Sequence, residues 1–435
     1  PQPARNFAQN NIYGIDFAKE AVKIAKAINL IVGDGKSHIY GGGAHGNSLN
    51  PSIWNDEMKA GLRPRLLRFP NDPQKDRENQ EKFIYFDFDV LMTNPPFAGT
   101  VKEREILKLY KLAEKNGKLV NKIGRHILFL ERSLQFIRPG GRMAIVLPQG
   151  LLNNTNAEYI RRFVIDEARI LAVVGLHVNT FKPHTGTKTS VLFLQKYTDE
   201  EKEKIQQIRA KYEGEWEEFF EKLKEKYKNI SWESQINEEE IPEELNTFLG
   251  SYFESREEIE ELSTDEVEET EEVEEAEEEK PKKKPLADLI KEKSELEEVK
   301  KEKEEELLVA NAAKKSELRK EIKILQNKIN KLIKEISERT LAGQISLVLT
   351  EEKITEAFKK FWLDSKVIKE IDYPIFFAVN EKPVKDESGE YRYKKNPDGS
   401  FVLDEHGHLV IDHDLDEIAN AFIEFAKEQG FDFWK

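Results

Sequence analysis

The chain has 435 residues, enough for two or three domains with sizeable hydrophobic cores. It has no cysteine, which excludes disulfides and thiolate metal sites, and no apolar run approaches the roughly 20 residues of a membrane span, so we expect a cytoplasmic protein with no membrane partner. The formal net charge of −15 is local, because residues 257–279 hold fifteen Asp or Glu and no Lys or Arg; the near-neutral remainder does not have the charge of a strongly basic nucleic-acid-binding domain.

The first predicted elements are a strand, a helix and a loop. Residues 11–16 have the pattern of a short buried strand that ends in Asp16, and residues 17–32 have the spacing of an amphipathic helix. A glycine-rich loop follows at residues 41–46. In a nucleotide-binding α/β sheet, an acid at the end of the second strand hydrogen-bonds ribose hydroxyls, which makes Asp16 a candidate for that contact. Asp16 also suits the N-cap of the following helix, and the two roles can coexist.

Asn47 and Ser48 follow this loop, where the third strand of such a sheet would end beside an adenine ring. Asn47 can bond the edge of the ring, although a loop Asn is more often a turn former. Residues 60–83 are polar, and we expect them to be irregular.

The most informative stretch of the chain is Asn94-Pro95-Pro96-Phe97, which follows a buried strand predicted at residues 86–92. The Asn94 oxygen can accept one N–H of a planar amino group, while the proline-locked turn aims a backbone carbonyl at the second N–H. The Phe97 ring can stack on a base. Two acceptors on one exocyclic amine raise the electron density on its nitrogen, which can then attack a methyl group. For an isolated motif of this kind, the alternative is an ordinary Pro-Pro turn with a capping Asn.

Helices and strands alternate after this motif. The periodicity predicts helices at 124–137 and 157–168, and strands at 142–147, 170–176 and 189–195. The turns between them are short. This alternation favours an α/β fold with a mostly parallel, doubly wound sheet.

The second half of the chain changes in composition. We interpret residues 256–285 as a disordered acidic linker, because they hold too little apolar surface to offset the entropy of ordering. A heptad seam predicts coiled-coil-like helices over 286–342, either as an antiparallel hairpin or as one rod, packed on the same domain or on a partner. The seam consists of Leu318, Ile322, Leu325, Ile329, Leu332 and Ile336. A small α+β region follows, with a strand at 375–379 and an amphipathic helix at 414–428.

The chain resembles the amino-group DNA methyltransferases that use S-adenosylmethionine, and in particular the modification (M) subunits of type I restriction systems. The resemblance rests on Gly14-Ile15-Asp16, Gly46-Asn47-Ser48-Leu49, residues 88–97, 126–130 and 139–148, Phe181, and residues 186–194. It covers about residues 10–196 and resumes at about 373–434, and the combination in this order is specific although no single piece is. It implies a Rossmann-like methyltransferase sheet.

The resemblance also implies roles for the residues of the motif. Asn94 and the carbonyl of Pro95 would accept hydrogen bonds from the N6 amine of a flipped-out adenine, in a catalytic segment that Pro96 and Phe97 complete. Phe97 would stack on one face of the base and Phe181 on the other. The alternative for Phe181 is a hydrophobic side chain that anchors its loop. The reaction requires no metal, and cytosine N4 is the alternative amine.

The implied cofactor is S-adenosyl-L-methionine, with Ile15 and Asp16 at its ribose and Asn47 and Ser48 beside its adenine. The family usually has Asp where this chain has Asn47. The first strand and its glycine-rich turn, which would hold the methionine part of the donor, should precede Asn11, and we expect the sheet to be incomplete at this point.

The implied partners are DNA, a specificity (S) subunit that reads the sequence, and a restriction (R) subunit. The expected domains are a methyltransferase core at 1–197, a helical extension at 198–255, the acidic linker at 256–285, the coiled-coil-like segment at 286–342, and an M-subunit-like region at 343–435. Two other functions stay open. One is a truncated, inactive scaffold of such a complex, and the other is an RNA or protein amine methyltransferase with the same motif.

Overall fold

The computed structural model describes residues 2–31, 38–115, 118–154, 157–254, 284–310, 312–431 and 433. The chain divides into two compact units, Pro1–Lys202 with Tyr373–Lys435, and Glu203–Asp372. The predicted acidic linker, apart from its last two residues, lies outside the described residues. Within the described residues, no helix is both long enough and apolar enough to cross a membrane.

The strands of the first unit confirm the α/β class. They are β1 (Tyr13–Asp16), β2 (His38–Gly41), β3 (Phe88–Thr93), β4 (Thr100–Val101), β5 (Glu114–Lys115), β6 (Lys118–Leu119), β7 (Ile123–Gly124), β8 (Ile137–Pro148), β9 (Ala168–Gly175), β10 (Thr189–Lys196) and β11 (Phe376–Val379). Five of them form a sheet in the order β11-β9-β10-β8-β3, while β1 and β2 form a separate parallel pair.

The larger sheet is mixed, whereas the sequence favours a mostly parallel one. Strand β3 runs parallel to β8, and β11 runs parallel to β9, but β10 is antiparallel to both β8 and β9. The reason is the connection from β9 to β10. This connection, residues 176–188, contains no helix and so does not form the crossover that usually joins parallel strands.

Eight helices precede the second unit in the described chain. They are α1 (Gln2–Asn11), α2 (Lys19–Ile31), α3 (Asp56–Leu62), α4 (Pro73–Lys82), α5 (Arg104–Leu107), α6 (Arg125–Phe136), α7 (Gly150–Asn153) and α8 (Glu158–Glu167). Helix α6 packs Leu130 and Leu134 against Ile145 and Leu147 of β8 in one apolar cluster. Each fully buried side chain of this size contributes about 1.5–3 kcal/mol.

Helix α4 corrects the expectation that residues 60–83 are irregular. Asp72 caps this helix by accepting a hydrogen bond from the Lys75 N–H at 3.0 Å, and Pro73 fits the first turn. The buried Asn79 side chain donates to the carbonyls of Leu67 and Tyr85, each at 2.9 Å. Helix α4 is held by polar contacts and has no apolar stripe, so hydrophobic periodicity does not predict it.

The five-stranded sheet and the β1-β2 pair are not joined by hydrogen bonds between described strands. Among the described strands, β3 pairs only with β8, and β1 pairs only with β2. The rings of Tyr13 on β1 and Phe88 on β3 nevertheless meet edge to face, with centroids 5.1 Å apart. On β3, Val90 is 55% exposed and Met92 is 82% exposed. Among the described residues, no strand pairs with both β1 and β3.

The second unit is helical. It contains most of α9 (Asp199–Lys226), then α10 (Glu243–Leu249), α11 (Leu286–Val309), α12 (Ala312–Glu338), α13 (Leu341–Thr350) and α14 (Glu352–Glu370). Ion pairs between Lys303 and Glu321 and between Lys314 and Glu306 hold α11 and α12 in an antiparallel hairpin. The seam residues Leu318, Ile329 and Ile336 are buried. Of the two predicted arrangements, the hairpin packed within its own unit is the one observed.

The last part of the chain returns to the first unit. Strand β11 adds to β9 in parallel, and the hydroxyl of Tyr373 accepts a hydrogen bond from the Ile170 N–H at 3.0 Å. Helix α15 (Leu415–Glu428) places Phe422 on Phe193 of β10, with ring centroids 6.1 Å apart. The compact units thus divide the predicted region 343–435 after residue 372, because its strand completes the sheet of the first unit.

Candidate active site

The Asn94–Phe97 motif lies immediately after the carboxyl end of β3. Asn94 is exposed, and among the described residues its side chain makes no hydrogen bond. Pro95 is buried, Pro96 is exposed and Phe97 is half-buried. A buried proline fixes the turn, so the amide of Asn94 is held at the edge of the sheet and can still accept a hydrogen bond from an incoming amine.

The first turn of α6 supports the loop that follows the motif. The N–H of Arg125 donates to the carbonyl of Gly99 at 3.0 Å, and Thr100 pairs with Gly124. His126 lies against the backbone of Phe97. Burial lowers the pKa of His126, and the backbone of Phe97 opposes part of this change. The net lowering of the pKa favours the neutral imidazole beside the motif.

Phe97 and Phe181 lie in direct contact. Their ring centroids are 5.4 Å apart, and the ring planes are inclined at 78°. The structure thus brings together two residues that are separated widely in the sequence. A base stacked between two parallel rings needs about 7 Å between them, or two stacking distances of about 3.5 Å. One ring has to move or turn before a base can enter.

Asp16 and the glycine-rich loop form a second group, at the carboxyl ends of β1 and β2. The Oδ1 atom of Asp16 accepts a hydrogen bond from the Ala18 N–H at 2.6 Å, which forms a local turn before α2; because α2 begins at Lys19, Asp16 is not its N-cap residue as predicted. A Cβ atom on Gly41 or on Gly46 would lie 2.2 Å from the Asp16 carbonyl oxygen. Only glycine permits this approach, which holds the loop against Asp16. Ile15 is half-buried next to it.

The Asn47 side chain forms a local turn. Its Oδ1 accepts a hydrogen bond from the Leu49 N–H at 3.0 Å, and its backbone carbonyl accepts one from the Trp54 indole at 2.9 Å. The turn-forming alternative is therefore observed for its oxygen. Ser48 is half-buried, and its carbonyl accepts a hydrogen bond from Arg132.

Arg132 is a residue that the sequence analysis missed. Its guanidinium is buried and donates to the carbonyls of Ser48 at 2.9 Å, Ile84 at 2.7 Å and Phe83 at 3.0 Å, and to Oε1 of Gln135 at 2.9 Å. Burial lowers the pKa of Arg132, and no carboxylate pairs with it among the described residues. Its side chain fastens the Ser48 loop to the core.

A sequence signal for Arg132 does exist. It lies four residues after Leu128 and four before Phe136, on the buried face of α6. An arginine at that position must find several acceptors, because a buried guanidinium left unpaired is very costly.

These residues fit one end of the implied methyl donor. The exposed Asp16 keeps its second carboxylate oxygen at the edge of the sheet, where it can accept hydrogen bonds from ribose hydroxyls. Asn47 and Ser48 lie in the adjoining loop. For the methionine end of the donor, the described residues offer no strand with its own glycine-rich turn that pairs with both β1 and β3.

Comparison with known proteins places the chain in a family. The model of the family described as N-6 DNA Methylase matches residues 3–287, about two thirds of the chain. The type I restriction enzyme EcoEI methylase subunit of Escherichia coli is 33% identical over 109 residues, which are 25% of this chain and 21% of that protein. The EcoKI methylase subunit of Escherichia coli strain K12 is 28% identical over 133 residues, 30% of this chain and 22% of that protein.

Among solved structures, a modification subunit of a putative type I restriction enzyme from Vibrio vulnificus YJ016 is 22% identical. It has a TM-score of 0.30 and covers 46% of this chain and 36% of its own. The chain spans about a fifth of the length of the curated relatives named above. Because the family model extends over most of its residues, the chain belongs to the N-6 DNA methylase family.

Proposed function

We propose that this protein transfers a methyl group from S-adenosyl-L-methionine to the N6 amine of an adenine turned out of duplex DNA. The observation that carries the proposal is the position of Asn94. Its amide is exposed at the carboxyl end of β3 and makes no hydrogen bond within the described residues. Phe97 lies three residues further along the chain, and its ring contacts the ring of Phe181. Family membership supplies the reaction class.

The protein residues would act mainly by placement. The Asn94 oxygen and the Pro95 carbonyl would accept hydrogen bonds from the two N–H groups of the amine. They would thereby direct the lone pair of the amine nitrogen toward the donor. When bound, the donor supplies a methyl group on a positively charged sulfur. Much of the acceleration comes from orienting the nitrogen and removing water.

The aromatic pair offsets the cost of turning the base out of the duplex. Extrusion of a base costs a few kcal/mol, and stacking on aromatic rings returns about 1–3 kcal/mol per base. Phe97 and Phe181 have to part for the base to enter, because they now fill the space that it would take.

We further propose that the protein works as the modification subunit of a type I restriction-modification complex in the cytoplasm. Several of its relatives are named as type I methylase subunits. Outside the acidic run the chain is near neutral, so a specificity subunit would supply sequence reading and much of the attraction to phosphates. A restriction subunit would be the further partner.

A catalytically inactive scaffold is the second candidate. The unpaired inner edges of β1 and β3 favour it, because the methionine end of a donor has no holder among the described residues. The Asn47 oxygen, already used in a turn, also favours it.

Long-read mapping of modified bases in the host genome separates the two candidates. We expect N6-methyladenine at one recognition sequence to disappear when the gene is deleted. It should stay absent when the deletion is complemented with the Asn94→Ala gene. Asn327→Ala, which alters an exposed asparagine in the second unit, serves as the matched control and should restore the modification. An unchanged map after deletion would exclude the methyltransferase function and favour the inactive scaffold. Loss of methyl groups from cytosine instead of adenine would show that cytosine is the modified base.

A further inference from the structure

Phe181 lies in the loop between β9 and β10, residues 176–188, whose internal hydrogen bonds form turns and no helix or strand. The Thr180 N–H donates to the His177 carbonyl at 2.9 Å, and the His184 N–H donates to the Phe181 carbonyl at 2.9 Å. These are single turns without a regular element. These turns hold the backbone around Phe181, and contacts from outside the loop add to them, since irregular surface loops are more mobile than the elements that they connect.

Residues about 200 positions further along the chain contact this loop. Asn380 is 1% exposed, its N–H donates to the Gly175 carbonyl at 2.8 Å, and its Oδ1 accepts from the His177 N–H at 3.3 Å. Lys385 donates from Nζ to the Lys182 carbonyl at 2.9 Å. The start of the loop and the residue next to Phe181 are therefore both tied to the segment after β11.

That segment begins a small ribbon of three similar turns. Isolated bridges join Lys385 to Tyr391, Lys395 to Phe401 and Leu403 to Leu409. Each turn contains a glycine with a positive φ, of +94° at Gly389, +87° at Gly399 and +80° at Gly407. An Asp or Asn lies three residues before each glycine, at Asp386, Asn396 and Asp404.

Of the three glycines, Gly389 is the one that lies against the Phe181 loop among the described residues. A Cβ atom on Gly389 would lie 2.7 Å from Cδ of Pro183, whereas one on Gly399 or Gly407 would meet nothing within 4 Å among the described atoms. The three glycines thus share a backbone conformation and differ in their surroundings. The first turn is fitted to the loop.

We propose that the first turn of this ribbon positions Phe181 in the base-binding slot, with Lys385 and Gly389 as positioning residues. The slot is the space between Phe97 and Phe181 that a base would occupy, and its assignment to a base rests on the proposed function. The position of the Phe181 ring can be tested without measuring catalysis. The Lys385 ammonium holds the Lys182 carbonyl, and Gly389 permits close contact with Pro183. Together they keep the Phe181 ring against Phe97 until a base displaces it.

The test uses the full chain with 4-fluorophenylalanine at position 181, observed by fluorine NMR. The resonance of the wild-type background should reflect the ring of Phe97, and Phe97→Leu gives the reference for a lost ring contact. We expect Gly389→Ala and Lys385→Met to move the resonance toward that reference. Gly399→Ala, which imposes a similar backbone strain on an open turn, should leave it unchanged.

Lys385→Arg should retain most of the wild-type resonance, because a guanidinium can still donate to the Lys182 carbonyl. If Gly389→Ala does not fold by circular dichroism, Lys385→Met decides alone. An unmoved resonance in folded Lys385→Met and Gly389→Ala overturns the proposal. An equal change in Gly389→Ala and Gly399→Ala also overturns it, since strain rather than contact would then be the cause.

Where methyl transfer is measurable, Gly389→Ala should lower kcat/KM for DNA by about ten- to a hundredfold, as expected for a group displaced by about 1 Å. Gly399→Ala should retain the wild-type value. Absence of methyl transfer in the wild-type protein would count against the proposed function. It would not affect the conclusion from fluorine NMR about the position of Phe181. A displaced resonance without loss of transfer would overturn the role of this turn in the slot.

Discussion

The substitution Arg132→Met tests whether one buried guanidinium holds the Ser48 loop to the core. Methionine has a similar length and fills most of the space, so the cavity contribution should be small. The change removes donors from three backbone carbonyls, those of Ser48, Phe83 and Ile84. An unsatisfied buried acceptor costs about 1–3 kcal/mol, which gives roughly 3–9 kcal/mol for the three.

Part of this loss is offset, because folding of the variant does not transfer a charged guanidinium from water to the protein interior. That desolvation penalty is several kcal/mol for a buried ion. We therefore expect a net loss of about 3–5 kcal/mol in the free energy of unfolding of the first unit. For a body of about 250 residues, each kcal/mol lowers Tm by about 2–4 °C, so Tm should fall by about 6–20 °C.

Differential scanning calorimetry of the full chain measures this loss, and hydrogen exchange at residues 48–50 assigns it to the first unit. Arg138→Met is the matched control. Arg138 pairs with Asp89 at 2.8 Å, with side chains 47% and 68% exposed, and such surface pairs contribute about 0–1 kcal/mol. If Arg132→Met unfolds within 1 °C of Arg138→Met, the buried hydrogen bonds do not carry the stability assigned to them.

Three further predictions concern single groups. Asn94→Ala should abolish methyl transfer while binding of DNA by the assembled complex is retained, as measured by filter binding. Tyr110→Phe should lower the unfolding free energy by about 1–3 kcal/mol in urea, because the buried Leu49 carbonyl loses the hydroxyl that donates to it at 2.8 Å. Burial lowers the pKa of Lys196 to about 8, so the unfolding free energy should rise by about 1.5 kcal/mol between pH 8 and about pH 9.5.

The sign of the last prediction follows from proton binding. The unfolded amine keeps a pKa of 10.5, so in this window the unfolded state binds more protons than the folded one, and raising the pH favours folding. The window ends below pH 10, where the raised pKa of Tyr110 and Tyr197 begins to favour the unfolded state. Lys196→Met should unfold with a flat profile over the same range, and a rise equal to that of the wild type would assign the effect to another group.

Each of the remaining two has its own control. Tyr159→Phe removes a half-buried hydroxyl elsewhere in the first unit, and it should cost less than Tyr110→Phe. Near-normal turnover of Asn94→Ala would remove its assigned role.

Local patterns in the sequence determined most of the elements around the candidate site. The apolar run before Asn94 predicted β3, and the pattern of residues 189–195 predicted β10, which the structure extends to Lys196. The periodicity of residues 124–137 likewise predicted α6. The predictions of β10 and α6 succeeded because one buried face imposes a period of two on a strand and of 3.6 on a helix. For β3 the strand was correct but its predicted burial was wrong, because Val90 and Met92 are exposed among the described residues. The polar helix α4 escaped this reasoning because hydrogen bonds through Asn79 hold it.

Tertiary structure alone decided which distant segments meet. A sequence can indicate that residues 375–379 form a strand, but its place beside β9 depends on which sheet edge is free. The contact between Phe97 and Phe181, and the four acceptors of Arg132, depend in the same way on chain paths. Periodicity reports only whether a side chain is buried. Its partners are chosen when all the elements pack together, because burial is a property of one residue and contact is a property of two.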